Sequence, residues 1–370
     1  MDIKYQNKNT VLIISSEFPP GPGGIGTHAI SIANAFQKRG VNVVINTISN
    51  YVNSQKEINY DNNHSFKIYR FKNYGSIIKR WYHRLNIIKN TIRLYRIKNI
   101  FVSGRFSIWV IPFIKIFGVP NIVAIIHGTE IGKTIFFKWT IFCLKKANNI
   151  IAISKFTRSL IAENLIGQVY VVNNGIDPSI WNVPEKSKVL KNFPILLTVG
   201  TISLRKGQYN VIKMLPYILK VFPNIHYHCV GDDKEKNSLL ELIDKLNLIN
   251  QVTIHGVLEH YELEKLYNIS HVNMMLSNHK SKTDYEGFGI SVLEGNLFGV
   301  PAIGARNTGL QDSIKPNING ELVDPKNNKE IIKSLERIFL KYDYYSNQSK
   351  NYAKINTWDN KIVQYEKFIQ

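Results

Sequence analysis

Two carboxylates eight residues apart, Glu286 and Glu294, bracket a glycine-rich turn in Tyr285-Glu286-Gly287-Phe288-Gly289-Ile290-Ser291-Val292-Leu293-Glu294. Glycines free the backbone to approach an anion, and a helix opening at Gly289–Ser291 aims its dipole at that anion. One acid then lies in the loop and the other on the helix. A surface helix that merely exposes Glu294 is the plainer reading, although two glycines around Phe288 make poor packing material. A second segment, Thr198-Val199-Gly200-Thr201-Ile202-Ser203-Leu204-Arg205-Lys206-Gly207, sets two cations between a strand end and a helix start. Fixed cations there neutralise a departing diphosphate. Taken alone, two basic residues in a loop are more often solvated surface.

His127 follows the apolar run Asn121–Ile126 and precedes Gly128-Thr129-Glu130, so its imidazole is expected at a strand's carboxyl end. A lone histidine is more often structural. The loop Gly21-Pro-Gly23-Gly24-Ile25-Gly26 spells GxGxxG after a strand and before a helix. A dinucleotide site nevertheless needs its first glycine close behind the strand and an acid ending the second strand. Here Glu17-Phe18-Pro19-Pro20 intervenes, and Val41–Ile45 runs into Asn46-Thr47. What is left is either a tight turn or a glycine-lined loop whose amides approach a phosphate or sugar. His226 and His228 share one face of a strand, but the sequence places no third ligand beside them, so strand packing is the better reading and no metal site is expected. Cys143 and Cys229 lie far apart without CxxC spacing, which implies buried small side chains.

Strands alternate with helices along the chain. Strand-like runs at Thr10–Ser16, Val41–Ile45, Ile100–Val102, Asn121–Ile126, Ile150–Ile153 and Val169–Val172 are separated by helical segments at His28–Arg39, Ser76–Lys98, Ile108–Phe117, up to Ala147, and Lys155–Asn164. A stretch rich in Pro, Asn and Lys, Asp177–Phe193, reads as a linker. A second series follows, with strands at Ile195–Val199, Ile225–Val230, Val252–Ile254, Val272–Leu276 and Pro301–Ala305. Its helices are expected at Tyr209–Lys220, Lys234–Leu246, Tyr261–Ser270, Ile290–Phe298 and from Asn328. Such alternation predicts two α/β units with mostly parallel sheets and a ligand in the cleft between them.

A length of 370 residues with 44% hydrophobic and 20% charged side chains suits two globular domains and excludes disorder or a disulfide-stapled miniprotein. The longest apolar stretch, Phe106–Ile126, is interrupted by Pro112, Lys115, Gly118 and Pro120, so no segment is expected to span a bilayer. Met1–Thr10 lacks the regions of a signal peptide, which points to the cytoplasm. The net charge of +20 is concentrated in residues 1–180, with 23 Lys/Arg against 7 Asp/Glu. Between Asp61 and Glu130 there are twelve basic residues and no acid. Such a surface attracts nucleic acid or an anionic membrane. Within it, Ser76–Lys98 carries an apolar stripe (Ile77, Trp81, Leu85, Ile88, Ile92, Tyr95) among Lys79, Arg80, Arg84, Lys89, Arg93 and Arg96. A helix packed on its sheet with a solvated basic face has this pattern, and so does a membrane-docking helix in which Lys79, Arg80 and Arg84 contact lipid.

These residues together resemble the large retaining glycosyltransferase family of GT-B fold, the family-4 or group-1 transferases, over nearly the whole chain. The resemblance rests on the PGGIG loop, HGTE, Ile153–Phe156 with Val171–Asp177, the VG…RKG segment, Val252–Val257, the Glu286/Glu294 pair, Gly299–Pro301, Gly309 to Asp312, and Gly320–Val323. Trp358 with Tyr365 resembles the family's C-terminal helix, which returns to the first domain. Two positions depart from the pattern: Thr201 stands where many relatives have arginine, and Thr308 replaces one of two adjacent glycines.

The resemblance implies two Rossmann-like α/β domains facing each other across a cleft. They would comprise residues 1–180 on the acceptor side, residues 181–352 for the nucleotide sugar, and a returning helix at 353–370. It implies that Glu286 holds the transferred sugar, Glu294 the ribose, and Arg205 with Lys206 the diphosphate. Gly24 would approach the phosphates and His127 the sugar, while Val257 and the turn Gly287, Phe288, Gly289 and Ile290 complete the donor site. The implied activity is retaining, metal-independent transfer of a hexose from a UDP- or GDP-sugar, without a cofactor. The acceptor would be lipid-linked or an oligosaccharide in surface polysaccharide synthesis (O-antigen, capsule, exopolysaccharide, lipopolysaccharide), at the inner face of a bacterial membrane. Glycogen- or starch-synthase-like glucosyl transfer is the alternative, as are a basic nucleic-acid-binding protein and a sugar-binding protein without activity. No zinc-finger, helix-turn-helix or RNP signature supports a nucleic-acid partner.

Overall fold

The computed structural model describes residues 10–49, 55–72, 75–132, 135–161, 165, 169–185, 190, 194–203, 205–232, 235–277 and 285–370. The chain forms two compact units, one made of residues 1–174 with 358–370 and the other of residues 175–357.

The first unit runs β1 (Thr10–Ser15), α1 (Gly24–Lys38), β2 (Asn42–Ile48), α2 (Gln55–Asn62), β3 (Lys67–Phe71), α3 (Ile77–Tyr95), β4 (Asn99–Ser103), α4 (Arg105–Trp109), α5 (Ile111–Ile116), β5 (Asn121–Ile126), α6 (Phe137–Leu144), β6 (Asn149–Ala152), α7 (Lys155–Ser159) and β7 (Val169–Val171). Its seven parallel strands lie in the order β3-β2-β1-β4-β5-β6-β7. Helices cover both faces of such a sheet, so central strands read as unbroken apolar runs. In β5, NIVAII, all six residues are buried. Edge strand β3, KIYRF, fully buries only Phe71 and therefore lacks the run that marks the others in sequence. The Ile108–Phe117 segment is two helices meeting at Val110, because Pro112 has no N–H to continue a helix across that point.

Helix α3 is capped by Ser76, whose hydroxyl accepts the Lys79 N–H at 3.4 Å, and it stops at Arg96 in the left-handed conformation (φ 50°). Ile88 and Ile92 are buried, with Trp81, Leu85 and Tyr95 packed against the same core. Ile77, the first member of the expected stripe, is instead 66% exposed, with Ile78 beside it at 81%. The packed part of the stripe therefore starts at Trp81, one turn into the helix.

The second unit runs β8 (Ile195–Val199), α8 (Gln208–Ile218), β9 (His226–Val230), α9 (Lys236–Lys245), β10 (Val252–Ile254), α10 (His260–Ile269), β11 (Val272–Met275), α11 (Ile290–Leu297), β12 (Ala302–Ala305), α12 (Leu310–Ser313), β13 (Gly320–Val323), α13 (Asn328–Leu340) and α14 (Tyr342–Ile355). Its six strands are parallel in the order β10-β9-β8-β11-β12-β13. The segment from Asn328 is two helices, not one, broken at Lys341. The final helix, α15 (Trp358–Glu366), belongs to the first unit, where it packs on α1. Parts of the expected Lys155–Asn164 helix and of the linker at 177–193 lie outside the described residues.

Candidate functional site

The strand order of the second unit reverses between β8 and β11. In open α/β sheets ligands bind at such a reversal, outside the carboxyl ends of the strands. The loop leaving β8 carries Arg205 and Lys206, and the segment entering α11 carries Glu286 to Gly289. Gln208, fully buried, ties the basic loop down through Nε2 to the Gly200 carbonyl at 3.1 Å, and Asn210 donates to the Leu276 carbonyl at 2.7 Å.

Here the structure brings three of the expected residues together. Glu286 is 4% exposed, and its Oε2 accepts from Lys206 Nζ at 2.9 Å and Arg205 Nη1 at 3.0 Å. Burial alone would raise its pKa. The two cations and an N–H bond from Gly289 outweigh burial and hold the carboxyl below its usual range, so it is ionised near neutral pH. Glu294, on α11, behaves oppositely: burial pushes it up, opposed by the Tyr267 hydroxyl, which donates to Oε2 at 2.7 Å, and by Lys206.

The turn between the acids is held from outside. Gly289 caps α11 at φ 82°, a left-handed backbone that side chains rarely adopt. The Gly309 N–H donates to the Glu286 carbonyl at 2.9 Å, and a Cβ at Gly309 would lie 2.0 Å from the Gly287 oxygen. Ser313 Oγ donates to the Phe288 carbonyl at 2.7 Å. Thr308, one of the two departures, is fully buried; its hydroxyl donates to the Ala305 carbonyl at 2.8 Å and accepts the Leu310 N–H at 3.1 Å, which starts α12. Phe288 is core, so what it offers a ligand is backbone. Ile290 opens α11, Val257 stands 72% exposed after β10, and Thr201 is exposed on the basic loop.

The first unit places His127 at the carboxyl end of β5, as its sequence position requires, and 8% exposed. Its Nε2 bonds Ser103 Oγ, at the end of neighbouring β4, at 2.8 Å. Glu130 Oε2 accepts the N–H groups of His127 and Gly128 at 3.0 and 2.9 Å, which fixes the backbone that carries the ring. Burial drives the imidazole down to about 3 and the Glu130 carboxyl up to about 7. His127 is thus a neutral imidazole. Gly24 is the first residue of α1, and nothing lies within 4 Å of where its Cβ would stand.

Sequence reasoning missed Tyr267, Ser103 and the part Glu130 plays. Glu130 stands inside the HGTE segment; Tyr267 and Ser103 bear no signal beyond their buried positions in α10 and β4. It also missed a third imidazole beside His226 and His228: His255 Nε2 lies 2.9 Å from His228 Nδ1. The spacing argument failed because His255 comes from the adjacent strand pairing. Among the described residues no group of histidines, cysteines or carboxylates is arranged to hold a metal ion.

Of the three cations expected to contact lipid, Lys79 is exposed and Arg80 partly so. Arg84 is turned inward, its guanidinium 4.6 Å from the centre of the Phe106 ring, and burial and Arg80 lower its pKa. No helix among the described residues is long and apolar enough to cross a membrane.

Residues 22–180 match the model of Glycosyltransferase Family 4 and residues 179–355 that of Glycosyl transferases group 1. An uncharacterised glycosyltransferase of Methanocaldococcus jannaschii is 27% identical over 207 residues, which is 52% of this chain and 51% of that protein, so the chain spans about half the length of this relative. The GDP-mannose-dependent alpha-(1-6)-phosphatidylinositol monomannoside mannosyltransferase of Mycobacterium tuberculosis is 21% identical over 90% of both chains. Among solved structures, sucrose-phosphate synthase from Thermosynechococcus elongatus superposes with a TM-score of 0.80 at 18% identity, covering 97% of this chain and 98% of that one. A glycosyltransferase from Rickettsia africae gives 0.79 at 18% identity and 98% of both. The shared architecture is the GT-B fold, two Rossmann-like parallel sheets.

Proposed function

The chain belongs to the group 1 glycosyltransferases of GT-B fold, and on that premise we propose that it transfers a hexose, with retention of configuration, from a UDP- or GDP-sugar to a lipid-linked or oligosaccharide acceptor in bacterial surface polysaccharide synthesis. The observation that carries this reading is the meeting of Lys206, Arg205 and Glu286 in front of the α11 N-terminus. Two fixed cations and the amides of a helix start are what a departing nucleoside diphosphate needs. A buried ionised carboxylate beside them is placed to hold the sugar's hydroxyls. Glu294, further along α11, takes the ribose. The acceptor hydroxyl attacks from the side the phosphate leaves, and the phosphate oxygen takes the proton. We assign the electrostatic work to the two cations and the backbone, and no step to a metal; turnover that persists in a chelator is the expected result.

His127, on the first unit, serves the sugar as a neutral hydrogen-bonding group, a role consistent with an imidazole that does not charge near pH 7. Gly24 lets the α1 N-terminus approach phosphate. The basic first half is assigned to an anionic bilayer at the inner face of the membrane and not to nucleic acid. Exposed Ile77, Ile78 and Tyr82 sit among Lys79 and Arg80, and exposed Trp139 and Phe142 lie near Lys145 and Lys146 on and beside α6. Apolar side chains interleaved with cations suit lipid, whereas a phosphate backbone uses the cations alone.

A thermal-shift panel of UDP, GDP and ADP, followed by their sugars, tests the reading. One nucleotide diphosphate should raise the melting temperature, since a ligand that binds only the native state stabilises it. No shift with any of the three defeats the proposal.

A further inference from the structure

His28 is a fully buried histidine in the second turn of α1 for which the transfer chemistry has no use. Its Nε2 lies 3.0 Å from the hydroxyl of Tyr365, 337 residues further along the chain on α15. Its ring meets His127 edge to face, with centres 4.7 Å apart and planes at 87°, and meets Trp358 at 5.2 Å and 74°. Tyr365 is fully buried and Trp358 is 4% exposed. The far end of α15 is pinned by an Arg39–Glu366 ion pair, and beyond it Asn99 and Gln370 exchange side-chain and backbone hydrogen bonds at 3.0 and 2.9 Å.

Ser103 holds His127 at one nitrogen. A single hydrogen bond fixes where that nitrogen sits but leaves the ring free to twist about the bond. An edge-to-face neighbour removes the twist, provided its own plane is fixed. The Tyr365 hydroxyl fixes it. If this position needed only volume, an aliphatic side chain would fill it without desolvating an imidazole; a buried polar pair specifies one geometry instead. We propose that His28 and Tyr365 are positioning residues that set the ring plane of His127, which makes α15 part of the working site of the first unit. The proposal rests on the assignment of His127 to the sugar.

The test uses the full chain labelled with 15N-histidine and no ligand. Tyr365→Phe removes one hydroxyl and keeps the ring. It should move the ring-nitrogen signals of both His28 and His127, identified with His28→Gln and His127→Gln, whereas Tyr345→Phe, an equally buried tyrosine on α14 bonded to Glu321, should leave both in place. A His127 signal unchanged in Tyr365→Phe overturns the proposal. Nucleotide release from UDP-glucose or GDP-mannose, whichever turns over, gives the second arm. Tyr365→Phe should lower kcat by ~5- to 50-fold with donor KM within about twofold, since small misplacements of a working group cost rate and not ground-state binding. A raised KM with unchanged kcat, or no change in either, also overturns it. If neither sugar nucleotide turns over, the assigned donor chemistry is in error, while the spectra still decide whether the ring is held from α15.

Discussion

Lys206 Nζ and Glu286 Oε2 lie 2.9 Å apart although eighty residues separate them in sequence, and Arg205 shares the same carboxylate oxygen. On the proposed assignment a diphosphate drawn to these cations would compete with Glu286 for them and release the acid toward whatever the phosphate carries, so nucleotide binding and sugar recognition would be joined at one oxygen atom.

From this geometry Glu286→Gln should lose turnover by ~100-fold or more and bind the free nucleoside diphosphate as tightly as the parent or more so, because both cations are freed. Calorimetric titration with the nucleotide found in the thermal panel checks the second half. Weakened nucleotide binding would show that Glu286 supports the diphosphate and not the sugar. His127→Ala should likewise keep nucleotide affinity and lose turnover.

Lys206→Ala and Glu294→Ala should each weaken nucleotide binding by ~1.5–3 kcal/mol, the usual contribution of a hydrogen bond to a charged group, which is roughly 10- to 150-fold in Kd. Unchanged affinity in both removes the assignment of diphosphate to the first and ribose to the second.

Gly309 and Gly24 differ in what an added methyl group would meet. Gly309→Ala should destabilise the second unit by ~1–3 kcal/mol, because its Cβ would meet the Gly287 oxygen at 2.0 Å. Gly24→Ala should leave the melting temperature unchanged, since nothing lies within 4 Å. If Gly24→Ala nevertheless slows turnover, the small residue serves the substrate; unaltered turnover would make it an ordinary helix start.

Acid should destabilise the fold over a defined interval. Burial lowers the pKa values of His28, His127, His226, His228 and His255, with His127 at about 3 and His228 at about 4. The unfolded chain takes up protons below about 6.5 that the folded chain refuses. Stability is therefore fully present above that pH and is lost as pH falls toward 4. Glu130, raised to about 7, and Glu294, also raised by burial, act in the opposite sense, two carboxyls against six imidazoles once His64, lowered by burial too, is counted. The urea midpoint should be lower at pH 5 than at pH 7, and His228→Gln should narrow the gap; equal midpoints would contradict the burial argument.

Vesicle co-sedimentation reads the membrane assignment. Binding to anionic but not neutral vesicles, weakened by salt, is expected, and Lys79/Arg80→Glu or Ile78→Ser should reduce it. Arg84→Glu should cost stability as well, because it removes the contact with Phe106. Equal binding to neutral and anionic vesicles would mean the cations serve another purpose.

The alternation of strands and helices was legible because parallel strands covered on both faces must be apolar throughout. Where that condition lapses, so does the signal: edge strand β3 interrupts its apolar residues with Lys67 and Arg70, and β13 carries Glu321, held by Arg337 and Tyr345. The candidate site was legible wherever chemistry is written in contiguous residues, as in Arg205-Lys206 and Glu286 to Glu294. Their mutual contact was not, since it depends on β8 and β11 being neighbours across the reversal in strand order. Tyr267 under Glu294 and Ser103 under His127 are local accidents of register, which no periodicity announces.

The return of α15 to the first unit also sets an order of events during synthesis. Trp358 and Tyr365 are translated only after the whole of the second unit, so the first unit, begun earlier, is finished later. Until then His28 and the face of α1 around it stay open to water. A nascent chain can close its second unit while the first still waits for its last piece. Mutations that weaken α1 or its neighbours should then be felt most in the yield of folded protein from the ribosome, and less in the stability of molecules that have already closed.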